Sequence, residues 1–207
     1  TADSAAAFTL TTKTVVTAPL IADGVDIWDA GTTQTLTWTS TPSGTNGYTN
    51  AQILYDADGN FATTGDTVDL TANVYDGGGA NPEYSGAYTP NDGQYLWYIK
   101  DTTPLGPAAR IKIVDADHSY GLSVQSDTFR TKGTLTVLKP GSEGVPDYTA
   151  GVAGTDIKWK RFGNIATVDM CYAADGVSFP TPCENILNNY NMTANEHTIT
   201  TWTPPQG

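Results

Sequence analysis

The turn Asp56-Ala57-Asp58-Gly59-Asn60 sets two carboxylates and an amide at alternate positions, a spacing that lets oxygen ligands converge on Ca²⁺. The bidentate Glu that an EF-hand loop supplies six residues after its Gly is absent, because Gly65 stands there, and an Asp-Gly hairpin turn uses the same residues. Asp115-Ala116-Asp117-His118 is a second acidic group, readable either as carboxylates that bind Ca²⁺ near a domain junction or as solvated loop acids. Nucleophilic and phosphate chemistry find no footing. The chain holds only His118 and His197, no Gly-x-Ser-x-Gly elbow, no His-Glu-x-x-His and no Gly-x-x-x-x-Gly-Lys loop. Some pair of carboxyls for glycoside hydrolysis always exists among so many acids, but none has a distinctive setting, so the expectation is a protein that is not an enzyme.

Three further features bear on surface chemistry. The only cysteines, Cys171 and Cys183 in CYAADGVSFPTPC, could meet across a turn as a disulfide or remain two separate thiols, and the disulfide reading favours an oxidising compartment. Asn191-Met192-Thr193 matches an N-glycosylation sequon, which counts if the chain is secreted. Tyr84 and Tyr88 lie in a polar, Gly-rich stretch where exposed rings could stack on a sugar, whereas Tyr95 shares the face of Trp97 and reads as core.

The elements that carry these residues are strands. With 39% hydrophobic and 15% charged residues, 21 Gly and 12 Pro, the composition excludes a helical bundle, and its wealth of Thr, Val, Tyr and Trp fits a pleated, half-buried surface. The 10 basic residues against 22 acidic ones, a net charge of −12, argue against a nucleic-acid partner. No apolar run reaches membrane-spanning length, and the start TADSAAAF lacks the basic and apolar regions of a secretion signal, so the chain reads as soluble.

A repeat organises the strands. Residues 8–19, FTLTTKTVVTAP, match residues 129–140, FRTKGTLTVLKP, with a spacing of 121 from Phe8 to Phe129 and from Pro19 to Pro140. AGTTQTLTW ending at Trp38 then pairs with AGTDIKW ending at Trp159, ILYDADG with MCYAADG, and Trp97 in YLWYIKDTTP with Trp202 in TITTWTPP. Each block alternates apolar and polar residues, and Asp-Gly, Pro-Ser-Gly and Asn-Asp-Gly turns separate them.

The order Pro19, Trp28, AGTTQTLTW, YDADG, YLWYI, ARIKIVDAD and SDTF before GTLTVLKP resembles the immunoglobulin-like modules found in tandem in secreted and cell-surface proteins of microbes, including the type named for yeast cell-wall synthesis proteins. Two departures are Tyr148 where the first copy has Trp28, and residues 74–93, which read as a long surface insertion. The resemblance implies an all-β fold of tandem immunoglobulin-like sandwiches, structural or adhesive, with no catalytic residues to carry over. On this reading residues 1–14 are a terminal strand belonging or donated to another domain, 15–132 a complete domain, and 133–207 a second domain lacking its last strands.

An incomplete sandwich exposes strand edges and apolar side chains. Phe8, Leu10, Val15 and Val16 are the expected donor strand, and Ile157, Trp159 and Trp202 the expected acceptor sheet, of a head-to-tail homopolymer. The competing expectation is a covalent array, in which these residues are a window of a longer chain. Either way the function expected is a structural component of an extracellular filament, stalk or cell-surface layer, without a required cofactor. The alternative is a carbohydrate-binding or adhesive module that contacts surface polysaccharide.

Overall fold

The computed structural model describes residues 13–20, 26–41, 47–63, 65–72, 88–118, 122–144, 149–153, 155–173 and 184–205. Its regular elements are all β-strands, with no helix among the described residues. Two compact units divide the chain: Thr1–Ile99 with Pro104–Lys132, and Lys100–Thr103 with Gly133–Gly207.

The first unit contains β1 (Lys13–Ala18), β2 (Ile27–Asp29), β3 (Thr33–Thr41), β4 (Asn50–Asp56), β5 (Thr67–Asp69), β6 (Thr89–Pro90), β7 (Gln94–Tyr98), β8 (Arg110–Asp115), β9 (Ser123–Gln125) and β10 (Arg130–Lys132). One sheet runs β1-β3-β7, a second runs β5-β4-β8-β9 with β6 beside β4, and β10 pairs with β2 in parallel. Period-two alternation sends Leu36 and Trp38 of β3, Ile53 and Tyr55 of β4, Tyr95 and Trp97 of β7, and Ile111 and Ile113 of β8 inward. Their Thr, Gln, Arg and Lys neighbours face outward or lie half-buried. The inward rings form one aromatic cluster: Trp28 lies 4.8 Å from Phe129 and 6.0 Å from Trp97 between centroids, and Tyr55 lies 4.9 Å from Trp97. Such tilted pairs add to the free energy of burying the rings.

The second unit contains β11 (Thr134–Lys139), β12 (Thr155–Phe162), β13 (Thr167–Tyr172), β14 (Glu184–Asn191) and β15 (Glu196–Trp202). A three-stranded sheet β11-β12-β15 accompanies a two-stranded sheet β13-β14. Its buried core is small: Ile157, Trp159, Val168 and Met192.

The repeat read from the sequence is present at the level of register. Val16 stands opposite Trp38 as Val137 stands opposite Trp159, and both strand pairs slip at the same place, between Val16 and Ala18 and between Val137 and Lys139. Gln34 pairs with Trp97, and its counterpart Thr155 pairs with Trp202. The sheet β11-β12-β15 is therefore a second copy of β1-β3-β7. Pairing diverges at the other sheet: β4 lies between β5 and β8, whereas β13 is hydrogen-bonded to β14 alone among the described strands. Counterparts of β8, β9 and β10 are likewise missing among the described residues of the second unit.

Candidate functional site

Each acidic turn has a structural occupation. Asp56 is buried at the end of β4, and its carboxylate accepts hydrogen bonds from the amides of Asp58 (3.2 Å) and Asn60 (2.9 Å) and from the Thr67 hydroxyl (2.5 Å). Burial raises its pKa, but these donors together outweigh that and hold it below the ordinary carboxyl value. For Asp58 the Asn60 amide lowers the pKa, and the Asp56 carboxyl, desolvation and the Asp66 charge together outweigh this and raise it. Asn60 enters through its backbone N–H as donor to both carboxylates. The third acid at this place is Asp66, so that Asp56, Asp58 and Asp66 bring one oxygen each within 4.8 Å of one another. Sequence reading missed Asp66 because the chain must fold back along β5 to deliver it. Gly59 closes the turn at φ +76, where an added Cβ would meet the Ala108 carbonyl oxygen at 2.7 Å, which accounts for a glycine at this position.

Asp115 and Asp117 point to different tasks. Asp115, buried at the end of β8, accepts from the amides of Asp117 (2.9 Å) and His118 (3.1 Å) and contacts His118 Nδ1 at 2.9 Å. Asp117 reaches across to the start of β4, where the Thr49 hydroxyl and Asn50 Nδ2 each donate to it at 2.7 Å. Burial raises the Asp117 pKa, and the donors from Asn50 and Thr49 outweigh this, bringing it down to about 2. Asp117 thus ties the start of β4 to the turn after β8, while Asp115 holds that turn together.

An apolar slot lies in the second unit. A slot of about 260 Å³ is lined by Val137, Pro140, Ile157, Met170, Cys171, Tyr172, Ile186 and Trp202. Through the repeat, Val137, Ile157, Met170, Tyr172 and Trp202 correspond to Val16, Leu36, Ile53, Tyr55 and Trp97. All five counterparts are at most 4% exposed in the first unit. In the second unit Val137 is 51% exposed, and Met170, Tyr172 and Trp202 are only half-buried. The slot is thus the first unit's core position left uncovered.

The sequence-derived assembly residues separate on this geometry. Ile157 and Trp202 line the slot. Trp159 does not: its indole stacks on His197 at 5.6 Å, meets Tyr190 at 5.4 Å and donates to Met192 Sδ at 3.2 Å. The strand of Ile157 and Trp159, β12, is bonded on both edges, to β11 and β15, so it offers no edge to an incoming strand. Val15 and Val16 lie in β1, already paired to β3 of their own unit, with Val16 buried. Backbone groups on that edge are used within the chain, which moves any donor role upstream; Phe8 and Leu10 lie outside the described residues. Tyr172, Val137 and Met170 were missed, although comparing the repeat copies ring by ring would have found Tyr172.

Among the remaining candidates, Cys171 is disulfide-bonded and the only other cysteine, Cys183, lies outside the described residues. Asn191 is exposed at the end of β14, beside the buried Met192. Tyr88 is 43% exposed just before β6, and Tyr84 lies outside the described residues. No helix of the described residues is long and apolar enough to cross a membrane.

No protein-family model, curated protein or solved structure matches the chain.

Proposed function

We propose that this is a non-catalytic structural protein of an extracellular filament, stalk or cell-surface layer, built from tandem immunoglobulin-like sandwiches whose function resides in strand pairing and packing. The observation that carries this reading is the second unit. It repeats the first unit's three-stranded sheet in register yet leaves its apolar slot uncovered, with Val137 51% exposed where Val16 is 4% exposed. Exposed apolar slots beside an unpaired strand edge favour addition of another strand, and a joint between two different surfaces propagates head to tail. Thr-rich outward faces and the disulfide at Cys171 suit life outside the cell.

Electron microscopy of the purified chain, with the intact mass of the assembled subunit, tests the reading. Regular fibres of chains with the mass of these 207 residues support it. Fibres of a far larger chain place the joints within one polypeptide, and a monomer at all concentrations defeats assembly. The exposed Tyr88 ring supports a second reading, an adhesive module for surface polysaccharide. Glycan-array binding that is lost in Tyr88→Ala would favour it.

A further inference from the structure

We propose that the slot of the second unit takes the strand around Phe8 and Leu10 of a second copy of this chain, with Phe8 seated against Tyr172 as Phe129 is seated against Tyr55. This rests on the assembly reading above and specifies its joint. The first unit shows the slot filled. Phe129 is fully buried, its ring 6.2 Å from Tyr55 and 4.8 Å from Trp28, and it leads directly into β10. In the second unit the equivalent pair persists, Tyr172 and Trp202 at 5.6 Å, but both rings are only half-buried.

The chain itself contains the matching piece. Residues 8–19 are in phase with residues 129–140, so Phe8 precedes β1 at the same spacing by which Phe129 precedes β11. In that phase Phe8 stands for Phe129 and Leu10 for Thr131, two residues on one face of a strand. The change from Thr to Leu suits the slot. Thr131 Oγ1 lies 2.9 Å from the Tyr55 hydroxyl, which also donates to the Pro104 carbonyl at 2.8 Å; both belong to a buried polar group that must be satisfied. The Tyr172 hydroxyl instead donates to Glu184 on the neighbouring strand. The incoming strand therefore needs no hydroxyl over that ring, and an apolar Leu10 fits where Thr131 would bring an unneeded polar group.

A peptide of residues 1–15 titrated into the full chain carrying Phe8→Asp, which cannot donate its own strand, tests the joint by calorimetry. The expected result is saturable 1:1 binding, weakened at least about tenfold when the peptide itself carries Phe8→Asp and lost in an acceptor that also carries Val137→Asp. Val137 is exposed, so that acceptor keeps its fold, as its unchanged circular dichroism would show. Absence of saturable binding, or equal binding by both peptides, overturns the inference. If it is overturned while the unmodified chain still forms fibres, the array survives and only its joint is wrong. If the peptide binds but the unmodified chain forms no fibres, the joint stands and the array falls.

Discussion

At the scale of single residues, repeat partners of the same type have different tasks because their neighbours differ. The Tyr55 hydroxyl is bonded to both Thr131 and Pro104 within the core, and burial pushes its pKa up. Tyr55→Phe leaves the Pro104 carbonyl without this donor and removes the hydroxyl partner of Thr131, at an expected cost of about 1–2 kcal/mol. Tyr172→Phe, whose hydroxyl donates to Glu184, exposed at the start of β14, is expected to cost far less; urea unfolding of the two variants checks the difference. Asp117 makes a pH prediction. Its folded pKa, about 2, is below the ordinary 3.8, so its contribution to stability is fully present above pH 3.8 and is lost as pH falls from there through 2. Melting temperatures recorded from neutral pH down to this window should fall less steeply in Asp117→Asn than in the unmodified chain. Neither effect was visible in the sequence, where Asp115 and Asp117 look like equivalent loop acids. The fold separates them by giving one to its own turn and the other to Thr49 and Asn50.

At the scale of elements, β1 and β11 are the same strand in two settings. Val16 is 4% exposed and Val137 51% exposed, although each stands opposite the equivalent Trp. Val16→Ala is expected to destabilise the first unit by about 2 kcal/mol, and Val137→Ala to change the isolated chain by less than about 0.5 kcal/mol. Denaturation curves followed by near-ultraviolet circular dichroism distinguish the two. The disulfide at Cys171 belongs to β13, which borders the slot. Reduction frees a loop of roughly a dozen residues and is expected to remove about 3 kcal/mol from the second unit while leaving the first unit's transition in place. Calorimetric scans with and without reductant should show the second unit's transition move alone. Strand existence and the inward residues of β3, β7, β8 and β12 were legible because period-two alternation is a local property. The pairing of β10 with β2 and the location of Asp66 were not, since both depend on contacts distant in sequence.

At the scale of the whole molecule, a joint between copies makes stability depend on concentration. A strand that binds only the folded acceptor stabilises it by mass action, so the melting temperature of the second unit is expected to rise with protein concentration while that of the first stays constant. Hydrogen exchange at two concentrations would locate the gain: increased protection at β13 and β15, and none at β4, is the expected pattern. A chain whose two transitions are both independent of concentration would not be joined in this way.

The sequence by itself determined the all-β class, the 121-residue spacing between repeat copies and the residues that face inward, because composition and alternation act through neighbours along the chain. Only the tertiary structure decided which copy is covered. Val16 and Val137, or Tyr55 and Tyr172, cannot be told apart by their own strands. Their burial depends on whether β8, β9 and β10 close over them, and strands that arrive from elsewhere in the chain set the exposure of a side chain that local pattern only orients.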